Sequence, residues 1–351
     1  MAGSRLNRLL DFRSDASSPP TSEIRRAMAD ALVGNDDFGD DPTVNRLEEE
    51  GARLLGKEAA LFVHSGTMAN MTAVMAHIDP GATVVVGERF HIFDHEGEAM
   101  TRVAGIEFLP VADRTCRGRT RLLIEEVVIR AQPVGLLCLE NSVSRPGGTL
   151  IEMAHMQELT RWAQGHGMPV HLDGARLFNA SLGLGVEPPQ LASCADSVAL
   201  GLTKGPSAPC GGLLAGSAEL IAKARHNRWM LGGNWKQGGI VAAGCLVALE
   251  QIGEGMAQDH ENARRLAIGL DAIDGLAVDV DDVVTNILYM TVTEDGFDLD
   301  TWSDYVALHG VLAGPFQPHR ICRWVTHPGI GADDVERALQ IAASAAVRAL
   351  A

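Results

Sequence analysis

Short apolar runs alternate with amphipathic stretches of helical length along most of the chain. Asp41-Pro42-Thr43 supplies turn residues and a proline near a helix start. Val44, Leu47, Leu54 and Leu55 keep a helical period up to Gly56. Residues 59–63 then read as a strand, Ser65-Gly66-Thr67 as a turn, and a helix is expected from about Met68. Further strands are expected at 83–86, 134–139, 169–172, 197–200 and 212–215, with helices between most of them, such as 153–166. Aliphatic and β-branched strands separated by helices imply a mostly parallel α/β sheet. After residue 217 long helices are expected at 217–230, 239–252 and 259–273. The last stretch alternates differently, with strands at 276–280, 286–292 and 320–325 and helices at 299–308 and 332–350, which suits a small α+β domain. The expected division is a large domain over 1–255, whose N-terminal segment contributes to the site, and a small C-terminal domain over 256–351.

Composition narrows the function. The chain has 351 residues, 46% of them hydrophobic and 21% charged, which is enough apolar mass for a sizeable core. Its 29 basic and 45 acidic residues give a net charge of −16, which argues against nucleic acid or an anionic membrane as partner. No apolar run approaches the roughly 20 residues of a membrane span. Residues 1–20 have no leader-like apolar stretch, and the six cysteines show no metal-binding spacing, so a reduced, cytoplasmic protein without a metal centre is expected.

In an open α/β sheet, ligands bind at the carboxyl ends of the strands. Those ends carry Ser65-Gly66-Thr67, Glu140-Asn141, Asp173-Gly174-Ala175-Arg176 and Thr203-Lys204-Gly205. Ser65-Gly66-Thr67 is either a plain helix cap or an anion turn that suits a phosphate. Asp173 and Arg176 could form an ordinary ion pair. Alternatively Asp173 faces a protonated pyridine nitrogen, where a carboxylate keeps the ring a good electron sink. Only four lysines are present: Lys57, Lys204, Lys223 and Lys236. Lys204 alone follows an apolar strand in a turn of small residues, which makes it the best candidate for a Schiff base with a carbonyl cofactor. Phosphate turn, strand-end aspartate and lysine, in that order, are what a pyridoxal 5′-phosphate (PLP) enzyme presents on this architecture.

The chain resembles the threonine aldolases, a β-eliminating-lyase group of PLP-dependent enzymes of fold type I, the aspartate-aminotransferase-like fold. The resemblance rests on Asp11 to Asp15, Gly39 to Asn45, Gly56 to Ala60, Ser65 to Asn70, His171 to Asn179, and Thr203-Lys204-Gly205 with Ala208-Pro209. It implies cleavage of L-β-hydroxy-α-amino acids to glycine and an aldehyde. In that reading Lys204 holds PLP, Asp173 pairs with the ring nitrogen, and Ser65, Gly66, Thr67 and Thr203 bind the phosphate. His91 stacks on the ring, while Ser14, Arg176 and Arg323 hold the substrate carboxylate. The resemblance also implies a homotetramer, a dimer of dimers with shared sites, in which Lys236 reaches a neighbouring cofactor phosphate.

Four positions depart from the family pattern. Val143 stands where a histidine is usual, Lys236 replaces an arginine, Trp229 a lysine, and Phe38 a tyrosine. A valine cannot take a proton, and lysine lacks the arginine fork. The loss of a polar group at Val143 and the gain of Trp229 and Trp235 predict a more apolar pocket that favours a bulkier β-substituent such as that of phenylserine. His95, one helical turn beyond His91, and His64 are candidate replacement bases. Other chemistry of the same cofactor remains open, namely β-elimination, epimerisation or aldol transfer. A non-catalytic module of this fold should have lost Lys204 or Asp173, and both are present.

Overall fold

The computed structural model describes residues 9–127, 134–253 and 255–351. It divides into two compact units.

The larger unit comprises 19–145 and 149–252 and is built on a seven-stranded sheet. Its strands are β1 (Ala59–Val63), β2 (Thr83–Gly87), β3 (Glu107–Val111), β4 (Val134–Glu140), β5 (Val170–Gly174), β6 (Ser197–Gly201) and β7 (Gly212–Gly216). Their spatial order is β1-β7-β6-β5-β4-β2-β3. Only β7 runs antiparallel to its neighbours, so the sheet is mostly parallel, as the strand pattern requires. The central strands are buried throughout, and Val84, Val85 and Val86 are fully covered. That burial explains why they read as unbroken apolar runs rather than alternating ones.

Helix α1 (Pro42–Leu55) begins and ends where the sequence signals place it. The Asp41 carboxylate accepts from the Thr43 and Val44 N–H groups, each at 3.1 Å, and Gly56 closes the helix at φ 61°. Its other carboxylate oxygen accepts from Gly239 N–H, 2.9 Å away, which ties the start of α1 to the start of Gly239–Glu250. Helix α2 (Gly66–His77) starts two residues earlier than expected. Ser65 is the extended cap residue, and its hydroxyl accepts from Met68 N–H at 3.1 Å, so Gly66 and Thr67 already lie in the first turn.

In the larger unit, one sheet strand and one hairpin have no counterpart in the sequence reading. Strand β3 is an edge strand that is half-exposed and carries Pro110, so its hydrophobic signal is weak. The hairpin Asp113–Cys116 with Arg119–Leu122 is largely polar.

The smaller unit groups the described residues up to Ser18 with 146–148 and the segment from 253 onward. A four-stranded antiparallel sheet places Ile287–Val292 between Leu276–Ala277 and Ile321–Val325, with Phe316–Gln317 beyond. Leu10–Asp11 pairs with Val311–Leu312, and Phe12 and Trp324 pack at 5.1 Å between ring centroids. The helices Met256–Asp271, Leu299–Leu308 and Ala332–Ala349 cover this core. The strand expected at 276–280 stops at Ala277, and Val280–Asp282 forms a 3-10 turn where the aspartates cluster.

Candidate active site

The carboxyl ends of the parallel strands bring one set of polar side chains together in the larger unit. His171 and Asp173 alternate along β5 with Leu172 and Gly174, so their side chains leave the same face of the sheet. Helix α2 presents Asn70 to that face, and its side-chain amide settles the local arrangement. Nδ2–H donates to Asp173 Oδ2 at 3.0 Å and to Glu96 Oε2 at 3.2 Å. With both protons so used, Oδ1 is the atom that meets His171 Nε2 at 3.0 Å. The second Asp173 oxygen accepts from Ala175 N–H at 3.0 Å.

Glu96 gathers further partners. Its Oε1 accepts from Thr67 Oγ1–H at 2.9 Å and faces His91 Nδ1 at 3.0 Å. His91 starts a short helix after β2, and its backbone N–H donates to Glu140 Oε2 at 2.6 Å. The other Glu140 oxygen accepts from Ser144 N–H at 2.8 Å. Burial, with the Asp173 charge beside it, pushes the Glu140 carboxyl above the usual range. Burial works against charge on His91, but the Glu96 hydrogen bond and the Asp173 and Glu96 charges overcome it and raise the imidazole. The Lys204 ammonium lies near enough to oppose that rise. One donor atom each from His91, Glu96 and Asp173 lie within 4.8 Å of one another.

This cluster is acidic and buried at its base, and His91 is half-exposed at its rim. Such a base suits a group that presents a cationic N–H. The phosphate end also fits. A Cβ at Gly66 would meet nothing within 4 Å, so the first turn of α2 faces open space. At Gly212 the reverse holds, because a Cβ there would lie 2.9 Å from the Ser65 carbonyl and 3.0 Å from Gly66 N. Only glycine lets β7 support this turn from below.

The remaining sequence candidates are placed as follows. Lys204 and Thr203 are half-buried in the turn after β6, where Ser207 N–H donates to Lys204 O at 3.0 Å. Arg176 is buried, with Nη1–H donating to Ser144 Oγ at 3.4 Å. Val143 is fully buried and its backbone N–H donates to Thr149 O at 2.8 Å. The His95 ring lies 4.8 Å from that of His91. Lys236 is exposed and forms an ion pair with Asp37, while the adjoining Trp235 stacks on His64 at 3.7 Å. Trp229 is 62% exposed and stacks on His226. In the smaller unit, Ser14 caps a 3-10 turn through Ala16 N–H. Arg323 there donates from Nη2 at 3.0 Å to the carbonyl of Arg13, the residue before Ser14, so these two candidates lie close together within one unit.

Sequence reasoning gave no role to Asn70, Glu96, Glu140 or His171. Asn70 and His171 lay inside motifs and Glu140 at a strand end, so their positions were flagged without their function. Glu96 had no signal, since it sits among the acids Asp94 and Glu98 on an irregular stretch.

Sheet order and site together define a PLP-dependent enzyme of fold type I. A putative L-allo-threonine aldolase from Listeria monocytogenes superimposes with a TM-score of 0.81 at 20% identity, covering 96% of both chains. The β-eliminating lyase family matches residues 11–293, and the chain belongs to that family. A probable low-specificity L-threonine aldolase 2 of Arabidopsis thaliana is 39% identical over 95% of this chain and 96% of its own length. The low specificity L-threonine aldolase of Escherichia coli K12 is 33% identical over 91% and 94% of the two chains.

Proposed function

We propose that the chain is a PLP-dependent aldolase that cleaves L-β-hydroxy-α-amino acids to glycine and an aldehyde. The observation that carries this reading is the convergence of Asp173, Asn70, Glu96 and His91 at strand ends next to the open first turn of α2 and the Lys204 turn. Lys204 would hold the cofactor covalently. Asp173 would take the ring N–H, and His91 would cover the ring. Ser65, Gly66, Thr67 and Thr203 bind the phosphate, using N–H groups and hydroxyls at a helix start. When bound, the cofactor supplies an electron sink for the bond that breaks at Cα. Arg176, Arg323 and Ser14 would hold and orient the substrate carboxylate.

Proton removal from the β-hydroxyl needs a base, and fully buried Val143 offers none. His91 and His95 are the neighbouring imidazoles at the rim. The buried valine favours a second reading in which the same cofactor serves β-elimination, with a 2-oxo acid and ammonia as products.

The assembly is read as a homotetramer with shared sites, Lys236 serving a neighbouring copy. Leu32, Phe38, Trp229 and Ile240 support this, because all are exposed on segments joined by the Asp36–Arg228 and Asp37–Lys236 pairs. A cytoplasmic setting accords with six free cysteines. Among the described residues no helix is long and apolar enough to cross a membrane.

Borohydride treatment of the PLP-loaded protein tests the assignment. The reading predicts a pyridoxyl group on the peptide bearing Lys204 and none on those bearing Lys57, Lys223 or Lys236. Labelling at another lysine would overturn it.

A further inference from the structure

A line of hydrogen bonds continues from Asn70 away from the site. Asn70 Oδ1 accepts, so His171 Nε2 carries the proton of that 3.0 Å contact. Burial pushes the His171 imidazole down to about 3, so the ring is neutral and its Nδ1 is a bare acceptor. Nδ1 lies 2.8 Å from Ser197 Oγ, which must therefore donate. The same Ser197 oxygen lies 2.7 Å from His77 Nε2. Having spent its one proton on His171, the serine accepts there, and His77 is an Nε2–H donor. Burial likewise pushes His77 down to about 4, so it donates as a neutral ring.

The polarity is thus fixed along the three contacts beyond Asn70 by the two carboxylates at the inner end. The geometry is equally constrained. Ser197 is the register partner of His171 on adjacent strands. Asn70 and His77 lie seven residues apart on one face of α2, so both ends of the line are held by the same helix. Ser65 caps that helix, and Gly66 and Thr67 form its first turn.

We propose that Ser197 and His77 are positioning residues, which lock the Asn70 amide through His171 so that both of its N–H bonds aim at Asp173 and Glu96. Neither residue needs to touch cofactor or substrate. Without the Ser197 hydroxyl, His171 is free to carry its proton on Nδ1. Its Nε2 lone pair would then face Asn70 Oδ1, and relief by rotating the amide would turn Oδ1 toward two carboxylates. Either arrangement loosens the grip on Asp173. Because α2 also carries the phosphate turn, the helix couples the two anchor points of the cofactor. This inference rests on the reading that Asp173 pairs with the cofactor ring.

The test has two readouts. Long-range 1H–15N spectra of histidine-labelled apoprotein should show His77 and His171 as neutral Nε2–H tautomers, with His171 changing in Ser197→Ala. Equilibrium dialysis should show PLP dissociation rising about tenfold in Ser197→Ala and His77→Leu, the loss of one buried hydrogen bond. His77→Gln should restore the wild-type value, since its amide N–H reaches the same serine. An Nδ1–H tautomer at His171, or wild-type PLP affinity in Ser197→Ala, would overturn the relay. Asp173→Asn separates the two ideas. If it alone leaves PLP affinity intact while the tautomers are as stated, the ring assignment has failed and the relay has not.

Discussion

Replacing Gly212 by alanine perturbs the candidate phosphate turn without changing any residue on it. The added Cβ would lie 2.9 Å from the Ser65 carbonyl carbon and oxygen, where ordinary contact begins at 3.4 Å. The difference, 3.4 − 2.9, is about 0.5 Å. The atoms it meets are backbone, so no side chain can swing aside, and the turn must move by roughly that amount. Overpacking of this kind costs about 1–3 kcal/mol. In a unit of this size that lowers the melting temperature by about 2–4 °C for each kcal/mol. The same shift would stretch an N–H···O contact to phosphate from about 2.9 to about 3.4 Å, beyond good hydrogen-bond length. Losing one charge-assisted hydrogen bond costs about 1.5–3 kcal/mol, so PLP should bind at least tenfold more weakly. Gly66→Ala is the informative partner. Its Cβ meets nothing within 4 Å, so the apoprotein should melt as the wild type does. If the open space is where the phosphate sits, PLP affinity should still fall. Equilibrium dialysis with PLP and thermal melts of both apoproteins give the four numbers needed. Unchanged PLP affinity in Gly66→Ala would refute the assignment of that space to the phosphate.

Other perturbations test the frame around the site. Arg228 is buried and bonds both Asp36 at 2.6 Å and the Phe62 carbonyl at 2.7 Å, so Arg228→Met strands a buried carboxylate. Chemical denaturation should show a loss of about 3–5 kcal/mol. In the smaller unit, burial and then the neighbouring Asp15 charge push the Asp259 carboxyl up to about 7. A carboxyl raised in the folded state binds more protons there than in the unfolded chain, so it costs stability as pH rises from about 4 to about 7. Asp259→Asn should therefore gain on the wild type over that window, by up to about 4 kcal/mol, and run parallel to it above. A flat difference across the window would show that the carboxyl titrates normally.

Much of the frame was legible because local chemistry and tertiary packing agree. Asp41-Pro42 and Gly56 bracket α1 as written, and the buried strands read as strands because apolar character persists on both faces. Edge strand β3 was not legible, since its stability comes from pairing with β2 rather than from its own composition. The site followed the same division. Ser65, Asp173 and Lys204 stand out because each follows an apolar run. Glu96 and Ser197 gain their roles only through packing, Glu96 against Asn70 and Ser197 through its register with His171. No spacing along the chain encodes either contact. Trp229 shows the converse, since a departure that suggested an apolar pocket lies exposed at the end of a helix.

Product analysis by mass spectrometry tests the aldolase assignment most directly. The PLP-loaded protein would be given L-threonine, L-allo-threonine and L-phenylserine in parallel, with Lys204→Ala as the blank. The account predicts glycine and the matching aldehyde in equal amounts, absent from the blank, with phenylserine the best substrate by kcat/KM. A 2-oxo acid with ammonia, or no product from a protein that binds PLP through Lys204, would contradict it.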